Sequence, residues 1–591
     1  MMKRFISALL GSLAAIWISV ILLFFLLILF IAAIISNSFN SQTVALSFKD
    51  KSILHIELAG TFVERPAEPD LMSEIYGTQE STIPLNDLIA SISAAVDDDK
   101  IEGIFLDCKG SSGGIAQRTE LIEALEEFKE SGKWIVAYAD SYTQADYYIA
   151  STATEIYLNP VGMLDIHGLS ATTMFYKGLL DKLGIEMQII KVGTFKSAVE
   201  PFILTSASEP SKLQQQVFLD NIWNVITNQI SASRDIPVEE INTLADSMML
   251  TFKPSDYVDY NFIDGLKYRR EVIDMLKSQT DIDNDKDLRL ISPENYVLVA
   301  DVPHAKRNDN RIAVLYAVGD IVDEGNGGIV AAKLVPQILK LKENKKIDGL
   351  ILRVNSGGGS AFASEQIWEA LEQFKSTGRP FYVSMSDYAA SGGYYISSGA
   401  DRIYADPTTL TGSIGIFGMI PCAKEFMNDK LGITTDNVST NLNGDFPTLM
   451  EPMTPFQREA MQREINRGYE TFVGRCAKGR HMPVDSILAI AEGRVWDGQS
   501  ALRIGLVDRL GSLSTVIADM ANDLDFGDKY CVIEYPDPTP TLWEAVTGSE
   551  VSVKERIIRQ ELGDSYLLYK QIDYIRNAAH VQCRMEDIIV E

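Results

Sequence analysis

The apolar positions of this chain fall into two parallel series. Each opens on a β-rich run, "SILHIELAG" (52–60) or "RIAVLYAVG" (311–319), followed by a short, mostly apolar one, "GIFLDC" (103–108) or "GLILRV" (349–354). A Gly/Ser loop comes next, then a stretch whose apolar residues recur at a period near 3.6, then another apolar run, "WIVAYA" (134–139) or "FYVSMS" (381–386). Apolar runs alternating with amphipathic stretches predict βαβ units, hence a mostly parallel sheet covered by helices in each of two α/β domains. Two longer amphipathic helices are expected over Leu213–Arg234 and Pro455–Arg480, with apolar faces wide enough to pack repeat on repeat or subunit on subunit.

The two series are copies. "IEGIFLDC" (101–108) echoes "IDGLILRV" (347–354), and "EALEEFKESGK" (123–133) echoes "EALEQFKSTGR" (369–379), both at an offset of 246. "DYYIAS" (146–151) matches "GYYISS" (393–398) at 247, and "KLGI" at 182 matches "KLGI" at 430 at 248. An offset that drifts by single residues is what two diverging copies of one fold produce. The polar stretch between them reads as a linker. The expected organisation is therefore an anchor over 1–45, a first repeat over 46–275, a linker over 276–310, a second repeat over 311–530 and an extension over 531–591.

The N-terminus departs from this rhythm. No residue from Phe5 to Phe48 is charged, and "IWISVILLFFLLILFIAAII" (Ile16 to Ile35) is long enough to cross a bilayer as a helix. Lys3 and Arg4 precede it, which predicts a cytoplasmic stub, one span and an extracytoplasmic body. A cleaved secretory signal is the rival reading, but it wants a shorter apolar core ending in small residues, whereas this one runs into "SNSFNS".

Composition narrows the chemistry. At 591 residues the chain has room for two sizeable cores, and a formal charge of −28 argues against nucleic acid as a partner, since phosphate binding needs a basic face. Five scattered cysteines without CxxC spacing indicate neither a disulfide framework nor a zinc site. There is no H-E-x-x-H, and the "GGGS" loop lacks the G-K-[ST] of a nucleotide-binding loop, so no metal or cofactor is expected.

One serine stands out, Ser391 in "YAASGGYYIS" (388–397), flanked by alanines and glycines at the start of an apolar helix. Small neighbours let a carbonyl approach, and free N–H groups there would receive an oxyanion. A helix cap is the plain alternative. At the matching place the first repeat has Gln144, so only the second carries the hydroxyl. Conversely "KVGTFKSAVEPF" (191–202) sets Lys196 in an uncharged neighbourhood, while its counterpart is Gly444 and no lysine occurs from Leu431 to Ala477. Serine and lysine are divided between the copies. That complementarity predicts a Ser-Lys dyad: Ser391 as nucleophile, Lys196 as general base and acid once burial lowers its pKa, with an oxyanion site made by Gly392 and by Gly358 or Gly359 of "NSGGGS" (355–360). A Ser-His-Asp triad is the competing mechanism, but His55, His167, His304, His481 and His580 lie in no convincing motif.

"GTFKSAVEPF", "ASGGYY", "RVNSGGG", "TGSIGIFG" (411–418) and "GRVWDGQSALRIGLVD" (493–508) together resemble the signal peptide peptidase A (protease IV) family in its long, two-repeat, membrane-anchored form. The resemblance covers the chain from the anchor to about residue 530. It implies two tandem Clp-protease/crotonase-like domains, a Ser-Lys serine endopeptidase, a ring-shaped homo-oligomer (a homotetramer), a bacterial cytoplasmic-membrane location and cleaved signal peptides as substrates. It also implies that Ser413 hydrogen-bonds the lysine ammonium. One departure is Gly357, where the family often carries proline. Two other function classes remain in view: acyl-thioester chemistry, which would want carboxylates at the site, and a silent peptide-binding scaffold, which would need neither Ser391 nor Lys196.

Overall fold

The computed structural model describes residues 48–66, 81–325, 327–536, 581–585 and 589–590, together with Trp17 and Leu22. The expected span thus lies, but for those two positions, outside the described residues, as does His580. Among the described residues no helix is long and apolar enough to cross a membrane. The chain divides into two units, Met1–Asp50 and Lys51–Glu591, and both repeats fall in the second.

Each repeat builds a parallel sheet of the same order. In the first, Ser52–Val63, Ile101–Ser112, Trp134–Ala139, Glu155–Leu158 and Gly265–Leu266 lie side by side, all parallel. In the second, Arg311–Val318, Gly349–Ser356, Phe381–Ala390, Arg402–Ala405 and Arg509–Leu510 repeat that order, and Cys531–Tyr535 adds a parallel strand beside the first of them. The continuous apolar runs are explained by burial on both faces: "GLILRV" is buried at every position. The intervening helices show the anticipated stripe. In Ala361–Lys375 the buried residues include Ala363, Ile367, Ala370, Leu371 and Phe374, and the Ser360 hydroxyl caps its N-terminus by accepting from the Ala363 N–H at 3.2 Å.

The copies share buried polar anchors as well. Tyr147 Oη donates to the Phe262 carbonyl at 2.7 Å, and Tyr394 Oη donates to the Leu506 carbonyl at 2.9 Å. Asp264 accepts from the Ile156 N–H at 2.7 Å, Asp508 from the Ile403 N–H at 2.8 Å, and each carboxylate also holds an arginine, Arg234 or Arg480. Such anchors fix the closing turn of each domain on its sheet, the two tyrosines buried and the two carboxylates at its edge.

A third sheet joins the repeats. Its order is Ile329–Val330, Ile321–Val322, Gly358–Ser360, Val581–Arg584, Phe417–Cys422 and Glu186–Lys191, so it takes its last strand from the first repeat and a central one from the C-terminal extension. The main core of the second repeat accordingly contains Ile190 and Cys583. Away from this sheet the repeats meet across a buried polar network. Arg353, fully buried, donates to Glu64 at 2.8 Å, to Glu120 at 2.6 Å and to the Ser384 hydroxyl at 2.9 Å.

Candidate active site

Ser391 stands where the Phe381–Ala390 strand turns sharply into the helix Gly392–Ser397. Its backbone has φ 54° and ψ −112°, a conformation that a residue with a Cβ adopts only at a cost of about 1–3 kcal/mol. The turn is pinned on both sides: the Ser391 N–H donates to Gly412 O and its carbonyl accepts from the Tyr395 N–H, both at 2.8 Å. The small neighbours are required by space. A Cβ at Gly393 would lie 2.6 Å from Ser356 O, and one at Gly392 would lie 2.7 Å from Ser364 Oγ. The strain therefore serves to present a fully buried hydroxyl at the end of the sheet.

Lys196 reaches that hydroxyl from the other repeat. It follows the Glu186–Lys191 strand, is 1 % exposed, and its Nζ lies 2.8 Å from Ser391 Oγ. The ammonium also donates to Ser413 Oγ at 3.0 Å and to Ser413 O at 3.3 Å. The lysine loop is bound to the second repeat by its backbone, the Phe195 N–H donating to Glu492 O at 3.0 Å. Gln214 clamps it further, giving hydrogen bonds to Ser197 Oγ at 2.9 Å and taking one from the Val495 N–H at 3.1 Å.

The two expected oxyanion elements converge. A Cβ at Gly358 (φ +104°) would stand 2.7 Å from the Gly392 amide nitrogen, so these backbones are in close approach and only glycine fits. Gly359 lies one step further along, where a Cβ would strike Ile321 O at 2.1 Å. Gly357, the departure from the family pattern, has open space around it.

Two residues escaped the sequence reading. Gly493, at φ +78°, packs on the lysine stem so tightly that a Cβ there would meet Lys196 Cβ at 2.7 Å and Cα at 2.8 Å. Its only signal was its position at the head of "GRVWDG", since glycine carries no chemistry to search for. Gly493→Ala is expected to leave the far-ultraviolet circular dichroism intact and, with Lys196 in the expected role of base, to lower kcat for peptide cleavage about 100-fold, the cost of a displacement near 1 Å in such a group. The second residue is Cys583, fully buried, whose Sγ accepts a hydrogen bond from Ser391 Oγ at 3.2 Å. Burial pushes this thiol up to about 11, against the opposing pull of Lys196 and of the Ser391 hydrogen bond, so it stays a neutral SH. All five cysteines are free and buried.

The corresponding place in the first repeat is filled by its own side chains. Gly110 and Ser111, which map onto Ser356 and Gly357, direct their N–H groups to the Asp146 carboxylate at 2.9 and 3.1 Å. Gln144, the counterpart of Ser391, spends its amide on the backbone of His167 and Gly168. Three of the four described histidines have other attachments: His55 pairs with Asp107 at 3.3 Å, His167 with Asp165 at 3.1 Å, and His304 stacks on Tyr530; the fourth, His481, is exposed. Ser391 Oγ is hydrogen-bonded instead to Lys196 Nζ and Cys583 Sγ.

A buried serine approached by a lysine, beside closely packed glycine backbone, is the equipment of a hydrolase that works through an acyl-enzyme. The model of Peptidase family S49 matches the chain twice, at residues 127–283 and 373–526. Protease 4 of Haemophilus influenzae is 35% identical over 507 residues, covering 83% of this chain and 82% of that protein. Protease 4 of Salmonella typhi is 33% identical over 532 residues, covering 87% and 84%. A putative signal peptide peptidase SppA of Enterococcus faecium is 31% identical over 254 residues, 42% of this chain and 72% of its own. The class is that of the serine proteases. The chain belongs to Peptidase family S49.

Proposed function

We propose that this serine protease is a membrane-anchored endopeptidase with a Ser-Lys dyad split between two Clp-protease/crotonase-like repeats, degrading cleaved signal peptides and other short apolar peptides at the outer face of the cytoplasmic membrane. The observation that carries the reading is the 2.8 Å contact between Lys196 Nζ and Ser391 Oγ, both buried and contributed by different repeats. The E. faecium relative's name supports the substrate class. The uncharged run from Phe5 to Phe48 supports the anchor.

In this mechanism Ser391 Oγ attacks the scissile carbonyl while Lys196 Nζ takes its proton, then returns it to the leaving amine. Water repeats the cycle on the ester and frees the acid. The oxyanion is received by the Gly392 N–H and the Gly359 N–H, the Gly358 N–H being given to Ser356 Oγ at 3.1 Å, a preorganised site that a water-excluded pocket strengthens. Ser413 keeps the lysine aimed at the nucleophile. A lysine can act as base only when neutral, and removal of an amine from water disfavours its charged form. The test is degradation of a synthetic signal peptide by the full-length protein in detergent: cleavage within the apolar segment that disappears in Ser391→Ala supports the reading, and undiminished cleavage by that variant removes it.

A further inference from the structure

The helix Ile115–Glu130 of the first repeat begins without a capping side chain of its own. Its N-cap residue is Gly114, whose counterpart in the second repeat is Ser360, the hydroxyl that caps Ala361–Lys375. The missing acceptor comes from the other repeat. Asp387 is buried on the strand Phe381–Ala390, just ahead of Ser391, and its Oδ1 accepts from the Gln117 N–H at 3.3 Å, the bond that a cap residue makes within its own helix. A Cβ at Gly114 would lie 1.9 Å from Asp387 Cγ and Oδ1, so the carboxylate stands where a capping side chain would stand, and glycine leaves it room.

The other carboxylate oxygen serves the second repeat. Asp387 Oδ2 accepts from Asn355 Nδ2 at 3.1 Å, and Asn355 Oδ1 accepts from the Tyr388 N–H at 3.2 Å. Asn355 opens the "NSGGGS" loop that carries Gly359, so its side chain sets the spacing between that loop and the strand leading into Ser391. Burial and the Glu64 charge push Asp387 up to about 6, against the Gln117 N–H, Asn355 and the Arg353 charge, so at neutral pH it is a carboxylate that accepts on both sides. The first repeat, which has no nucleophile, has no such link. There Asn355 and Asp387 correspond to Lys109, paired with Glu57 at 2.7 Å, and to Asp140, which accepts from Tyr138 Oη and Asn159 Nδ2, both at 2.8 Å. The link thus accompanies the serine and not the fold.

Resting on the Ser391–Lys196 reading, we infer that Asp387 is a positioning residue for peptide cleavage: seated on the helix start of the first repeat, it holds Asn355 and through it sets the glycine loop of the oxyanion site against the strand of the nucleophile. The first repeat thereby contributes a brace as well as a lysine. The spacing between loop and nucleophile matters most when charge moves onto the carbonyl oxygen, and less while the peptide is merely bound. Loss of the brace therefore falls on kcat and spares KM.

Steady-state cleavage of a synthetic apolar peptide by the full-length protein in detergent, with the unfolding midpoint of each variant, tests this. Asp387→Ala removes both bonds and vacates the space beside Gly114. Combining it with Gly114→Ser restores a cap from within the helix, as Ser360 does in the second repeat, without restoring the bond to Asn355. The expected result is that Asp387→Ala lowers kcat at least about 10-fold with KM within about twofold, and lowers the midpoint, whereas the double variant regains the midpoint and not kcat. Asn355→Ala keeps the cap, breaks the same link and should lower kcat as far; added to Asp387→Ala it should cost little more. Recovery of kcat together with the midpoint in the double variant, a loss confined to KM, or a folded Asp387→Ala or Asn355→Ala with its kcat intact overturns the inference and leaves the proposed mechanism standing. Undiminished cleavage by Ser391→Ala overturns the mechanism and the inference with it.

Discussion

Lys196→Ala and Lys196→Arg should each lower kcat for peptide cleavage by about 10⁴-fold or more, the size of effect seen when one member of a nucleophile–base pair is removed. The arginine variant is the more informative of the two. It keeps the positive charge and most of the bulk but cannot give up its proton at any working pH, so its failure would show that Lys196 is needed as a base and not as a fixed cation. The wild-type rate should rise with pH as the lysine loses its proton, and that limb should vanish in both variants. Combining Lys196→Ala with Ser391→Ala should cost little beyond either alone, because two groups acting in one step are not additive. Steady-state rates from pH 5 to 10 on a fluorogenic apolar peptide, with circular dichroism to confirm folding, decide the matter. A Lys196→Ala enzyme with its rate and pH profile intact would leave the lysine a purely structural role.

The largest effect on stability is expected at Arg353. Its guanidinium, wholly buried, is shared by Glu64 and Glu120 of the first repeat, and Glu64 takes further hydrogen bonds from Gln117 at 2.9 Å and Asn355 at 3.0 Å. Burial alone would raise Glu64, but the Arg353 charge and the hydrogen bonds from Ser386 and Gln117 hold it below the ordinary carboxylate value. Glu120 is pushed up to about 7, chiefly by burial and with Glu64 adding to it, against the pull of Arg353. Arg353→Met leaves both acids without their cation and should cost about 3–5 kcal/mol, read as a drop in unfolding midpoint. The sign with pH follows from which forms remain. Without the guanidinium the acids escape their penalty only by taking up protons, so the deficit should be greatest above pH 7 and shrink towards pH 5. Adding Glu64→Gln and Glu120→Gln should recover much of the loss, since what destabilises is the uncompensated charge and not the missing contact. Equal loss at both pH values would contradict this account.

Much of this architecture was legible because its signals are local or repeated. Apolar runs such as "GLILRV" and "WIVAYA" announce strands buried on both faces, and each recurs in the other copy, with ends that differ by a few residues. Ser391 was visible through its alanine and glycine neighbours, and Lys196 through its absence from the other copy. What stayed hidden depends on approach in space. Gly493 matters for the atom it lacks, and Cys583 stands 192 residues from the serine it touches, in a four-residue strand with no periodic signature. The Asp146 carboxylate, an ordinary acid in sequence, becomes a plug for the first repeat only once Gly110 and Ser111 fold onto it.

The distribution of the paired residues also sets a timetable. Lys196 precedes Ser391 by 195 residues, and the strand that completes their sheet begins only at Val581. A ribosome therefore delivers the lysine, then the serine, then the closing strand, and the sheet that unites the two repeats cannot be complete until Val581–Arg584 has been made. A nascent or broken chain lacking the second repeat holds Lys196 without the serine it contacts. The arrangement acts as an interlock on synthesis: the contact between Lys196 and Ser391 can form only once both repeats have been made.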